Sequence, residues 1–236
     1  MSSAPAPLPS SPLDIWPPSW TPAAVIFDFD GLLVDTEAEW VRVQDAYLAM
    51  HQVRMDPATR RQVTGQSAEM VVTVIGRLVD KAPEIVAEEL LAAHREGLRG
   101  REQLVPLPGG METVRAVAAK RPVAIASNSP RDMLDHKLEA TGLDAVVDAH
   151  VAVEDITHPK PAPDIYLRAA EMLGVDPTDC LGFEDSETGA SAALAAGLHL
   201  IAVPSIPGQD PRAQRRLTTL EDDVLTDWIA GWDVRR

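Results

Sequence analysis

Apolar residues in this chain fall into short unbroken runs and longer periodic stripes, and the two patterns predict different elements. Four runs, Ala23 to Phe27, Val123 to Ala126, Cys180 to Phe183 and His199 to Val203, are each bounded by polar or glycine turns. A run with no polar face has nothing to offer water, so each reads as a strand buried on both sides, the mark of a parallel sheet. Ala145 to Val153 is a fifth, weaker strand. Between the later runs the spacing becomes helical, over Met111 to Lys120, Met133 to Thr141 and Asp164 to Leu173, with Gly174 stopping the last, and a small-residue helix ends at Ala196. Strand and helix alternate, which predicts an α/β class.

Between the first run and the second the pattern breaks. The stretch is too long for one crossover and has almost no strand signal, but it holds three stripes. Glu39, Trp40, Val43, Ala46, Tyr47 and Met50 form one, Met70, Val71, Val74, Ile75 and Leu78 another, and Ile85, Val86, Glu89, Leu90 and Ala93 a third. A helical bundle inserted over residues 38–105 accounts for them, with turn chemistry at Asp35-Thr36 and Pro106-Leu107-Pro108-Gly109-Gly110 suiting paired hinge strands. The expected fold is α/β: a doubly wound, mainly parallel, Rossmann-like core from residues 23–37 and 106–236, carrying a helical-bundle cap that acts as a mobile lid. Residues 1–22 hold seven prolines, which remove amide donors and block helix, so a flexible tail is expected there, whose apolar members Leu13, Ile15, Trp16 and Trp20 could lie against the body.

Composition narrows the partners. With 236 residues, 45% of them hydrophobic and 4% aromatic, the chain can bury a sizeable core better suited to helices on a sheet than to a β-sandwich. A formal charge of -15 and no basic patch disfavour nucleic acid. The single cysteine, Cys180, lies in an apolar run and has no intramolecular partner, which points to a reducing, cytoplasmic setting. No window approaches the roughly 18 apolar residues of a membrane span, so no membrane partner is expected. A monomer acting on a small molecule is the expected state.

The chemistry concentrates at strand ends. Val25-Ile26-Phe27-Asp28-Phe29-Asp30-Gly31 is an apolar strand ending in two carboxylates two residues apart, on one side of the chain. Like charges so close are costly unless a cation compensates, and a hard metal with oxygen ligands is the natural resolution. In open α/β sheets ligands sit beyond the strands' carboxyl ends, and three further ends match. Ser127-Asn128 offers hydroxyl, amide and turn N–H groups for phosphate oxygens. His158-Pro159-Lys160-Pro161-Ala162-Pro163-Asp164 presents one lysine between prolines, and Gly182-Phe183-Glu184-Asp185-Ser186 brings two more acids to a strand tip, where Asp185 could also serve as a plain helix cap.

Together these residues resemble the haloacid-dehalogenase-like hydrolase superfamily, in its subgroup with a helical cap, similar to β-phosphoglucomutase-like enzymes and sugar-phosphate phosphatases. Asp28-Phe29-Asp30-Gly31, Ser127-Asn128, Lys160 in Lys-Pro-Ala-Pro-Asp, and Glu184-Asp185-Ser186 look like its four motifs in order, across residues 23 to 205. The resemblance implies that Asp28 is the nucleophile, Asp30 the general acid and base, and Ser127 and Lys160 the holders of the transferring phosphoryl group. It implies Mg2+ on Asp28, the Asp30 backbone carbonyl, Asp185 and Glu184, the last directly or through water. Crowding by Asp28 and Asp185 should raise the pKa of Asp30. Gly31, Asn128, Glu37, Trp40, Thr64, Gly65 and Gln66 are the expected substrate contacts. The acid at Asp30 disfavours a dehalogenase. Trp40 and Ala68 stand where the mutase has a histidine and an arginine, which favours Mg2+-dependent hydrolysis of a small phosphorylated metabolite, a sugar phosphate, over isomerisation. A phosphomutase and a non-catalytic phosphometabolite-binding protein are the alternatives.

Overall fold

The computed structural model describes residues 7–63, 68–99, 104–206 and 208–234, excepting the side chains of residues 37–39, 61, 68–69 and 97–99. The chain separates into two compact units, one made of Met1–Val34 with Val105–Arg236 and the other of Asp35–Leu104. Strand β1 (Ala24–Phe27) opens the first unit. Helices α1 (Glu37–Met50), α2 (Pro57–Val63), α3 (Ala68–Val79) and α4 (Pro83–Arg99) belong to the second. The chain then returns to the first unit with α5 (Gly110–Ala118), β2 (Val123–Ala126), α6 (Arg131–Thr141), β3 (Ala149–Val151), α7 (Asp164–Leu173), β4 (Cys180–Glu184), α8 (Glu187–Ala196), β5 (His199–Ala202), β6 (Arg215–Arg216) and α9 (Asp223–Ala230).

The six strands form one sheet in the order β3-β2-β1-β4-β5-β6, with every pairing parallel. Central β1 is buried along its whole length, as an unbroken Ala-Val-Ile-Phe run requires, and Phe27 stacks on Phe183 of β4 at 4.8 Å. This order reverses direction between β1 and β4, so the connections leaving those strands diverge and open a crevice at their carboxyl ends. Just beyond β1, Val34 forms an isolated antiparallel bridge with Pro106, and Leu107 N donates to Leu33 O at 2.9 Å. The two chain crossings between units are therefore tied together on the core side.

Three features differ from the sequence expectations. The fifth strand spans Ala149–Val151 only, because Val146 N and Val147 N turn back to Leu143 O. Helix α2 comes from capping and not from an apolar stripe: Asp56 Oδ1 accepts from Ala58 N at 2.9 Å and Thr59 N at 3.1 Å, with Pro57 at the first helical position. The Pro-rich segment expected to be a flexible tail is packed over residues 11–20. Leu13 is buried, Ser11 Oγ lies 2.9 Å from His199 Nδ1, Trp16 meets Trp228 edge-on at 5.5 Å, and Trp228 Nε1 donates to Trp20 O. Proline blocks helix here, but Leu13 and, in part, Trp16 and Trp20 give the segment something to bury, while Ile15 stays exposed.

The helical unit has its own core of Val43, Tyr47, Leu48, Ile75, Val86 and Leu90. Beside it Tyr47 OH donates to Glu89 Oε2 at 2.6 Å, and Lys81 Nζ reaches both Glu89 oxygens at 2.8 and 2.7 Å. Among the described residues no helix is long and apolar enough to cross a membrane.

Candidate active site

Loops leaving the carboxyl ends of β1, β2, β3, β4 and β5 each deliver part of one cluster. Parallel pairing sets Phe27 beside Phe183, so Asp28 and Glu184 emerge side by side, with Asp28 N donating to Phe183 O at 3.0 Å. Asp185 follows one residue later. It is not the cap of α8: Ser186 takes that role, its Oγ accepting from Gly189 N at 3.1 Å, which leaves the Asp185 carboxylate to the cluster. Gly31, with φ of +83°, passes so close to Asp185 that a Cβ there would overlap its carboxylate, and the turn after β1 can approach β4 only through glycine.

Lys160 ties the centre together. Its Nζ donates to Asp28 Oδ1 at 2.5 Å, Glu184 Oε1 at 2.6 Å and Ala126 O at 2.8 Å, filling all three donor positions of a buried ammonium. Burial works against this cation, but Asp28 and Glu184 outweigh it and hold its pKa above the ordinary lysine range. Asn128 fixes the lysine from behind: its Oδ1 accepts from Lys160 N at 3.1 Å and its Nδ2 donates to Lys160 O at 3.4 Å. An amide expected to meet substrate is thus engaged in positioning Lys160.

Glu184 is fully buried and fully partnered. Beyond Lys160, its Oε1 accepts from Tyr166 OH at 2.6 Å, and its Oε2 accepts from Asp185 N, Ser186 N and Ser186 Oγ at 3.1, 3.3 and 3.1 Å. Asp28 is the opposite case. Its Oδ2 is buried without a hydrogen-bond partner. Burial, then the neighbouring charges of Glu184, Asp185 and Asp30, push the Asp28 pKa well up against the pull of Lys160. Asp185 is pushed to about 7, by burial and then Glu184, although Ser205 Oγ donates to its Oδ2 at 2.6 Å.

Asp30 corrects a sequence expectation. Crowding was to raise its pKa, yet although burial acts upward, the Lys137 charge and hydrogen bonds from Lys137, Ser129 and Ser127 hold it below the usual carboxylate range. Lys137 Nζ donates to Asp30 Oδ1 at 2.5 Å, while Ser127 Oγ and Ser129 Oγ both donate to Oδ2 at 2.8 Å. The reason is its partners: Lys137, Ser127 and Ser129 hold the Asp30 carboxylate from the β2–α6 side, and their pull exceeds the push of burial. This arrangement suits the ionised carboxylate.

Four carboxylates against two lysines leave a surplus of two negative charges at one strand edge. Ligand oxygens of Asp28, Glu184 and Asp185 lie within 4.8 Å of one another, and one Asp28 oxygen has no partner. An all-oxygen donor set with an unsatisfied buried carboxylate fits a hard divalent cation. Because every Glu184 lone pair direction is already engaged, Asp28 and Asp185 are the better direct ligands.

Of the other expected substrate contacts, Trp40 lies on α1 in the second unit, where its ring meets His94 at 4.2 Å and packs on that unit's core. The Glu37 side chain and Thr64, Gly65 and Gln66 lie outside the described residues. Sequence reasoning missed Lys137, Ser129, Tyr166 and Ser205. One signal existed for Lys137: it shares a helical stripe with Met133, Leu134 and Leu138, the wrong place for a solvated lysine.

Comparison with known proteins bears on the family and the fold. The model of the haloacid dehalogenase-like hydrolase family matches residues 22–197. Fructose-1-phosphate phosphatase of Escherichia coli is 32% identical over 185 residues, covering 77% of this chain and 96% of that protein. Hexitol phosphatase B of the same organism is 34% identical over 218 residues, covering 87% and 96%. The crystal structure of CbbY from Rhodobacter sphaeroides in complex with phosphate superposes with a TM-score of 0.71 at 24% identity, covering 86% of this chain and 96% of that one, a likeness of fold.

Proposed function

Since the chain belongs to the haloacid dehalogenase-like hydrolase family, we propose that it is a Mg2+-dependent phosphatase of a small phosphorylated polyol or sugar, working through an aspartyl-phosphate on Asp28. The observation that carries this reading is the buried Asp28 carboxylate, one oxygen held by Lys160 and the other without a partner among three further acids. Two relatives named as phosphatases of fructose 1-phosphate and of hexitols support the substrate class.

In this reading an Asp28 oxygen attacks phosphorus and the bond from phosphorus to the ester oxygen breaks, with Asp30, ionised at rest, first taking up a proton and then giving it to the departing alcohol. Water then attacks the phosphorus of the aspartyl-phosphate, Asp30 takes a proton from it, and the phosphorus–Asp28 bond breaks to release inorganic phosphate. When the substrate enters, Lys160 gives up one of its three donor bonds and Ser127 turns its proton from Asp30, so that both reach phosphoryl oxygens, while Asn128 and Glu184 keep Lys160 in place. Mg2+, held by Asp28, Asp185 and the Asp30 carbonyl with Glu184 behind them, would neutralise phosphoryl charge.

The test is phosphate release from a panel of hexose and hexitol phosphates with Mg2+ and with chelator. Turnover of at least one ester that is lost in chelator is the expected result. No release from any ester, with isomerisation under bisphosphate priming, would replace hydrolysis by the mutase reading.

A further inference from the structure

Lys137 is among the largest fully buried side chains, with 1% exposure, and it lies outside all four strand-end patterns. A lysine that far from water is costly unless its charge is matched and its donors are used. Its described partners are two: Asp30 Oδ1 at 2.5 Å and Ser129 Oγ at 2.9 Å.

The hydrogen bonds run in one direction. Lys137 has only donors, so Ser129 Oγ accepts from it and its own proton goes to Asp30 Oδ2 at 2.8 Å. Ser127 Oγ likewise accepts from Ser129 N at 3.0 Å and donates to the same Oδ2. Both oxygens of a side chain that is 26% exposed are thereby fixed from the β2–α6 side. Each acid of the Asp28–Asp30 pair thus has its own lysine, Lys160 for one and Lys137 for the other.

We propose that Lys137, acting through Ser129 and directly, is the positioning residue for Asp30 in phosphoryl transfer. The proposal rests on the phosphatase reading, in which Asp30 handles the proton. A general acid–base group must sit within hydrogen-bond reach of the atom it serves, and a misplacement of about 1 Å can cost on the order of 100-fold in rate. Without Lys137 the Asp30 carboxyl is still there to carry a proton, its pull toward the ionised form weakens, and its direction is no longer fixed. A lysine that merely staples α6 to the β1 turn would affect stability and leave proton handling alone.

The experiment is a double-mutant cycle of Lys137→Met and Asp30→Asn, read as kcat and KM on an alkyl phosphate and on an aryl phosphate with a good leaving group, alongside thermal melting. On the alkyl ester Lys137→Met lowers kcat about 100-fold with KM within about twofold, and Lys137→Arg recovers part of the loss. In the Asp30→Asn background Lys137→Met changes the residual kcat by less than about twofold, because the residue it positions is gone. Ser129→Ala, which removes one link without emptying a buried site, gives a smaller loss with the same dependence on Asp30. Losses that multiply across the cycle, or a folded Lys137→Met or Ser129→Ala enzyme with unchanged kcat, overturn the proposal. A wild type that hydrolyses no ester overturns the phosphatase reading and this inference with it, whereas an active wild type with multiplying losses overturns the inference alone.

Discussion

The chain's two tyrosines sit in different units, and each anchors the same three-residue arrangement. Tyr47 OH donates to Glu89 at 2.6 Å with Lys81 paired to that glutamate and lying 5.8 Å from the ring centre. Tyr166 OH donates to Glu184 at 2.6 Å with Lys160 paired to that glutamate and 4.9 Å from the ring centre. Chemically the two are alike, but their surroundings are not. Glu89 and Lys81 have side chains 41% and 30% exposed, whereas Glu184 and Lys160 have 0% and 5%. Water screens the first arrangement, so it contributes little beyond local order. In the second every charge is felt at full strength, and Asp28 and Asp185 add two more acids than Lys160 can balance. A Tyr–Glu–Lys set is therefore no sign of a site by itself; burial with unbalanced charge is.

The sharpest way to break this comparison is to remove the surplus charge. Asp28→Asn should lower turnover by at least about 10,000-fold, roughly 5.5 kcal/mol of transition-state stabilisation. The metal-free variant should melt no lower than wild type, because a carboxylate whose charged form is disfavoured by burial and by three acids has gone. Phosphate release and thermal melting check the two halves. A joint fall of activity and stability would mean that Asp28 is held comfortably, contrary to its raised pKa and partnerless oxygen.

What the sequence made legible divides along the same line. Strands β1, β2, β4 and β5 were readable because an unbroken apolar run has only one way to avoid water, and α7 was readable from its Gly174 stop. Asp28, Glu184 and Asp185 were readable because each ends or follows such a run, and Lys160 because the prolines on either side present it after the weaker fifth strand. Lys137, Tyr166 and Ser205 were not, since they reach the site from a helix stripe, a helix turn and a loop, where only packing tells an inward residue from an outward one. The seating of residues 11–20 was left open for a similar reason: proline density speaks about backbone, the apolar side chains only allow a contact with the body, and the partners of Trp16 and Trp20 are Trp228 and His199, far along the chain.

A smaller effect sharpens the comparison directly. Tyr166→Phe leaves Glu184 Oε1 with Lys160 alone in a site closed to water, and the loss of a buried hydrogen bond to a charged group costs about 1–3 kcal/mol. Tyr47→Phe lets the exposed Glu89 turn to solvent while Lys81 stays with it, and the melting midpoint should move by no more than about 2 °C. Chemical denaturation of both variants measures the ratio. Equal losses would show that the two arrangements are energetically alike and that burial is not what separates them.

The smallest expected effect is in alkaline solution. Burial first, and then the hydrogen bond and charge of Glu89, raise Tyr47 from 10.0 to about 12. Between those values the unfolded chain loses the phenol proton and the folded chain keeps it, so the folded state binds more protons there. The stability that goes with the raised pKa is complete below 10 and disappears as the pH climbs to about 12. Phenylalanine at 47 has no proton to keep, so the fall of the melting midpoint over this range should be shallower in Tyr47→Phe than in wild type. Tyr166 is raised in the same direction by burial and by Glu184, so Tyr47→Phe retains part of the slope and Tyr47→Phe with Tyr166→Phe loses more of it. Melting curves of wild type, single and double variants at matched pH isolate the contribution of the two phenols. A slope unchanged by Tyr47→Phe would mean that the Tyr47 phenol ionises as in an unfolded chain, and the packing of Tyr47 against Leu48, Ile75 and Leu90 would have to be looser than its burial indicates.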